Sequence, residues 1–205
     1  MLQNRVNPYG QIIKTSARGH WMGNRGQLHD ENKNLVRPFK LKAWITCLLQ
    51  FKGWKREVMA PRLYTELFFW DEATSFAAGH RPCFECRRDD YNKFKKFWLQ
   101  GNKEYGFPDS IYIREIDNIL HAQRLDSGGH KVTYTADINT LPNGCFIEWN
   151  GQPWLTFNGS IYPWTPGGYG EKTSFSSLTA VKVLTPLSTV NAIKVGYVPE
   201  VILNA

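Results

Sequence analysis

Residues 64–98 read YTELFFWDEATSFAAGHRPCFECRRDDYNKFKKFW, and the fold class turns on how this stretch divides. Tyr64 to Trp70 is an aromatic and apolar run of strand length. Asp71 is placed to N-cap a helix from Glu72 to Ala78, which Gly79 ends. After it, Cys83 and Cys86 stand three positions apart at the start of a second helix carrying Tyr91, Phe94, Phe97 and Trp98. A helix N-terminus favours thiolates, so the pair is placed for metal binding. Buried core thiols give the same spacing.

Downstream, Pro108 to Ser110 opens a further helix with Ile113, Ile116, Ile119 and Leu120 on one face and Asp117, His121 and Arg124 on the other. That second face reads as a site wall or as exposed charge pairs. From Asp126 the pattern changes. Three Asn-Gly pairs, at 143, 150 and 158, separate Cys145 to Trp149, Gln152 to Phe157 and Ser160 to Trp164, which predicts an antiparallel meander. Trp164 to Gly170 reads as a flexible aromatic loop, Val181 to Leu184 as a strand, and Ser188 as the cap of a last short helix. The expected fold is α+β: helices and a Cys-x-x-Cys module packed with an antiparallel β meander. It forms a single compact domain, with the module at 43–100 and a hairpin-rich part at 126–205.

Upstream, residues 1–34 show no sustained period and read as loop or extended structure. The part from Arg18 to Asp30 holds too many Trp, Met, Leu and His residues for a solvated tail. Phe39 to Phe51 reads as a strand entering a core, and Lys52 to Arg56, with Trp54, as a basic turn. The net charge of +7 is concentrated here: residues 1–57 carry eleven Lys and Arg against Asp30, Glu31 and Glu57, while the remainder is nearly balanced. With 14% aromatic residues, that distribution points to a polyanion, with DNA as the expected partner.

Gly79, Arg81, Pro82, Cys83, Cys86 and Arg87, following an aromatic strand and an Ala-rich helix, resemble the metal-binding module of Ada-type DNA alkylation-repair proteins over Ala43 to Arg88. The resemblance implies zinc. Its ligands would be Cys47, Cys83, Cys86 and a substitute for a fourth cysteine, because Phe51 stands where that thiol falls; His80 is the closest candidate. Such a site is closed and structural. The methyl-accepting activity of the Ada site is not carried over, since one ligand is missing. The whole chain also resembles a group of bacterial proteins through Gly23 to Gly26, His29-Asp30, Trp164 to Pro166 and Leu184 to Pro186; this implies one architecture and no chemistry.

No Walker loop, Rossmann glycine pattern or nucleophile elbow occurs, so no nucleotide cofactor is expected. No apolar run spans a membrane and no signal peptide opens the chain, so a cytoplasmic protein is expected. These features fit a DNA glycosylase that flips a damaged or hypermodified base, including modified cytosine of phage DNA, in repair or phage defence. The expected catalytic groups are Asp30 with His29 beside it, and Glu66; Asp30 also fits a turn cap and His29 a packed ring. Arg18, Asn24, Arg25, Lys52, Lys55, Arg56, Arg87 and Arg88 are expected on DNA, and Trp21, Trp164 and Tyr169 around the base. A non-catalytic zinc-dependent lesion binder is the alternative, and a nuclease the third.

Overall fold

In the computed structural model, which describes residues 1–53, 55, 57–175 and 179–203, the chain builds two six-stranded sheets with a buried helix between them. Trp54 and Arg56 lie outside the described residues. The first sheet contains β1 (Gln3–Val6), β2 (Ile12–Lys14), β3 (Trp21–Asn24), β4 (Ile45–Cys47), β5 (Leu67–Phe69) and β6 (Arg81–Pro82), in the order β2-β1-β5-β3-β4-β6. Strand pairs β1–β5 and β4–β6 are parallel, the others antiparallel. Three of these strands lie in the segment expected to be irregular. Each is only three or four residues long, too short for alternation to register as a period.

The register places Arg5, Phe68, Met22 and Cys47 in one row across four strands, hence on one face of the sheet. Gly23, Leu67 and Thr46 form the next row and face the other way. Gly23 has no side chain because the Phe69 ring occupies the place a Cβ would take, 2.3 Å from it. The strand expected over Phe39 to Phe51 shrinks to Ile45–Cys47. The backbone N–H groups of Lys40 and Leu41 both donate to the Arg25 carbonyl, and the Trp44 indole donates to the Leu41 carbonyl. Those bonds turn the chain before it can pair.

The second sheet is antiparallel throughout and holds β7 (Tyr134–Asp137), β8 (Cys145–Trp149), β9 (Gln152–Phe157), β10 (Ser160–Thr165), β11 (Gly168–Tyr169) and β12 (Ala180–Val183) in the order β11-β10-β9-β8-β12-β7. Asn150-Gly151 and Asn158-Gly159 have positive φ at both residues, the two-residue hairpin geometry that suits strand twist. Asn143-Gly144 makes no hairpin; it leads from a single 3-10 turn at Ile138–Thr140 into β8.

Helix α1 (Glu72–Ala77) is buried along its whole length. Its small residues allow close approach on both sides: Ser75 meets Thr46 of the first sheet, while Ala73 and Ala77 pack on Phe146 and Leu155 of the second. Asp71 caps it as expected, accepting from Thr74 N at 2.8 Å. Helices α2 (Arg88–Gly101), α3 (Ile113–Arg124) and α4 (Leu187–Lys194) cover the second sheet around Phe94, Trp98, Ile116, Leu120, Ile147 and Val183. Helix α3 starts at Ile113 rather than at Pro108, and Ser188 sits inside α4, where its hydroxyl donates to Gln123. The architecture is α+β. No helix among the described residues is long and apolar enough to cross a membrane.

Candidate metal centre

Parallel pairing of β4 with β6 sets Thr46 beside Pro82, and Cys83 N donates to the Thr46 carbonyl at 2.9 Å. Cys47 at the end of one strand thereby meets Cys83 just after the other. A tight turn through Phe84 and Glu85 returns Cys86 to the same point, and the three Sγ atoms lie within 4.8 Å of one another. Glu85 N donates to Cys83 Sγ and Leu48 N to Cys86 Sγ, each at 3.4 Å. Amides aimed at sulfur stabilise thiolates, the form that binds metal. Cys83 is held as a thiolate, well below the ordinary thiol range, by hydrogen bonds from Cys47 first and then Cys86. Cys47 is pushed far up by the same contacts. Three soft donors with N–H···S support fit a thiophilic ion such as zinc. Cys145 belongs to the core under the second sheet.

His80 is not the fourth ligand. Its ring is fully buried between Trp44 and Phe69, with centroids 5.2 and 4.6 Å away, and its Nε2 accepts from Arg25 Nε at 3.1 Å. Among the described residues no fourth His, Cys, Asp or Glu joins the thiols. The sequence interval of three from Cys83 is misleading here, because β6 runs between them and sends the two side chains to opposite sides. Burial, followed by the charges of Arg25 and Arg124, holds His80 neutral, well below the ordinary histidine range. The unfolded chain binds a proton there below pH 6.5 and the folded chain does not, so stability should fall as pH drops through 6.5 toward the depressed folded value. The slope from His80 is about 1.4 kcal/mol per pH unit. Urea unfolding between pH 7.5 and 5 measures it; a flat profile would remove the buried neutral ring.

All three thiols border a cavity of about 540 Å³ whose other walls include Met22, Asn24, Phe51, Lys55, Tyr64, Glu66 and Phe68. Glu66 is buried, 3% exposed, and its Oε2 accepts from Met59 N at 2.8 Å. A second cavity, lined by Arg5 and Arg18, shares Leu49, Val58 and Phe68 with the first, so the two form one continuous groove. Arg5 lies over the Phe68 ring at 4.7 Å and donates to the Ala17 carbonyl. Arg18 and Lys55 are exposed. Thus Glu66, Asn24, Arg18, Lys55 and the cysteines come together. Arg5, Met22 and Phe68, absent from the expected site, join them because strand register, invisible in short strands, puts them on the same face.

The remaining expected residues fall elsewhere. Asp30 is a turn cap: its Oδ1 accepts from Asn32 N and Asn34 N, both at 2.9 Å, and the Asn34 bond first of all holds its carboxyl below the ordinary range. His29 is packed, bonded to Thr65 Oγ1 at 2.6 Å and to the Ala60 carbonyl. Neither borders the thiol cavity. Arg25 is buried against Trp44, and Arg87 is buried against Glu72 and Asp90 with its guanidinium 4.0 Å over Trp21, so neither reaches a phosphate from the surface. Lys52 is exposed and pairs with Glu85; Arg88 is exposed over Phe84. The three expected base-stacking rings do not share a pocket. Trp21 donates to the Glu200 carboxylate, whereas Trp164 and Tyr169 bond Thr74 and Asp71 at the start of α1, which anchors the loop read as flexible. Asp117 and Arg124 are buried rather than exposed, Asp117 being held by Arg81. Comparison with known proteins finds no match to the chain among family models, curated proteins or solved structures.

Proposed function

We propose that this protein is a nucleic-acid-acting enzyme that takes one base into the thiol-bordered cavity and cleaves its N-glycosidic bond, with Glu66 as the catalytic carboxylate. The observation that carries this reading is a buried carboxylate in an aromatic-walled cavity of about 540 Å³ that continues into a groove bearing Arg5 and Arg18. The volume lies within the range of small-molecule sites. Phe68, Tyr64 and Phe51 offer flat faces to a flipped base, and Asn24 a polar edge. Arg18, Lys55 and Arg5 hold the flanking phosphates. Glu66 stabilises positive charge developing on the sugar, or takes the proton of the attacking water. A zinc ion held by Cys47, Cys83 and Cys86 would have three protein ligands, the number found where a fourth position is kept for catalysis rather than closed for structure. Damaged or hypermodified bases, including modified cytosine of phage DNA, are the substrates proposed, in genome repair or phage defence.

Purified protein is incubated with plain, alkylated, deaminated and hypermodified DNA, and free bases and abasic sites are scored. Release from one class is expected, and Glu66→Gln should lower it by about 10²- to 10⁴-fold while Asp30→Asn leaves it unchanged. Equal activity of Glu66→Gln and wild type would remove the carboxylate from the chemistry. The neighbouring thiols favour a second reading at the same site. Three thiolates with a carboxylate that is not a ligand are the donor set of hydrolytic base deamination. A base kept in the strand but heavier by about 1 Da, as an amino group gives way to an oxo group, would identify that reaction. Binding with no product would leave a recognition protein.

A further inference from the structure

Adjacent residues on the same strands serve a different cavity. Asn24 and Ile45 border the thiol cavity, whereas Arg25 and Trp44, one position further along, line another of about 590 Å³ between the β1–β2 hairpin, residues 35–38 and residues 125–131. This cavity is lined by Arg25, Arg37, His130 and Lys131 and by no Asp or Glu. Arg25 is 1% exposed, yet its Nη2 has no hydrogen-bond partner among the described residues. Its other nitrogens are used, Nε on His80 and Nη1 on the Gly10 carbonyl at 2.9 Å. Gly10, with φ 84, carries no side chain that would approach Nη2; a Cβ there would come to 3.8 Å.

The charge around this nitrogen is uncompensated. Trp44 is sandwiched between two guanidinia, Arg25 at 3.6 Å and Arg124 at 3.9 Å, and Arg124 is as buried as Arg25. Asp117, which acts on Arg124, is already held by Arg81 through two bonds of 2.7 Å. The Lys131 ammonium donates only to the Ala77 carbonyl, and burial together with Arg25 and Arg124 pulls its pKa down to about 7. Buried cations persist where a counter-charge meets them.

We propose that this cavity binds a phosphomonoester, its dianionic head on Arg25 Nη2 and Lys131 with Arg37 at the rim. Several cations with no carboxylate match a dianion better than a monoanion. The volume far exceeds one phosphate, and Ile12, Leu35, Val36 and Leu125 supply an apolar wall for the group that carries it. The site is independent of the reaction proposed at Glu66, and no residue lines both cavities.

The test is calorimetric titration of the metal-loaded full chain with inorganic phosphate, a nucleoside 5′-monophosphate, and an oligonucleotide with and without a 5′-phosphate, against sodium chloride at matched ionic strength. Saturable phosphate binding is expected, weakened about tenfold or more in Lys131→Gln and less in Arg37→Gln. Circular dichroism establishes that both variants are folded. Tighter binding of the monophosphate than of inorganic phosphate identifies a small metabolite, and binding confined to the 5′-phosphorylated strand identifies a nucleic-acid end. Phosphate acting no differently from chloride, or binding folded Lys131→Gln as tightly as wild type, would overturn the proposal.

Discussion

Cys83→Ser should strip the protein of bound metal and remove a large share of its stability. Cys83 is the common partner of the other two thiols and receives the Glu85 amide, so its loss removes one of the three donors and the thiolate that the neighbours support. Metal affinity at such a site is folding free energy, amounting to about 10–16 kcal/mol in small domains that have no other core. Here two sheets and a separate core remain, so the expected loss is smaller, on the order of 5 kcal/mol. Elemental analysis should find about one zinc per wild-type chain, as a single cluster requires, and none in Cys83→Ser. Urea unfolding of wild type with and without chelator should reproduce most of the variant's destabilisation. Two controls separate the ligands from other buried groups: Cys145→Ser and His80→Gln should each keep the metal. Wild-type protein that carries no metal after zinc reconstitution, and is indifferent to chelator, would make the cluster a set of core thiols.

What the sequence disclosed was local, and what it concealed was where side chains meet across strands. Asn150-Gly151 and Asn158-Gly159 announce their hairpins because turn geometry is written in two adjacent residues. Asp71 announces α1 for the same reason. The cluster joins Cys47 to residues 36 and 39 positions away, and spacing alone does not locate such a partner; the Ada-like pattern nominated Cys47, and the β4–β6 pairing places it. Glu66 and the thiols were each legible as candidates, but their convergence on one cavity depends on short strands whose register leaves no periodic trace. Arginines were read least well. Arg25, Arg87 and Arg124 look like surface charge in sequence, yet Trp44, Trp21 and Glu72 bury them, and each of those contacts spans 15 or more residues. Part of the positive first quarter is therefore inside the protein, which weakens charge counting as a guide to the nucleic-acid surface and shifts the weight to Arg5, Arg18 and Lys55.

Asp117→Asn should destabilise the fold by about 3–5 kcal/mol, the cost of breaking a buried ion pair and leaving one partner behind. Arg81 and Asp117 are each about 4% exposed and joined by two parallel bonds of 2.7 Å, from Nε and Nη2 to the two carboxylate oxygens. Asparagine keeps the shape but replaces one acceptor oxygen with a donor, so one guanidinium nitrogen faces an N–H and the charge is left unneutralised. Arg81→Met combined with Asp117→Leu removes both charges together, and that double variant should recover most of the loss, since a buried pair contributes little net stability over apolar replacements. The pair also ties α3 to β6 two residues before Cys83, which gives the single variant a second readout. A loosened β6 should weaken metal binding by about 10- to 100-fold, the size of effect seen when groups that orient ligands are removed. Competition with a calibrated chelator measures it alongside urea unfolding. If Asp117→Asn loses stability but binds metal as tightly as wild type, the ion pair braces the helix alone, and the thiols are positioned by the Thr46–Cys83 backbone bond without its help.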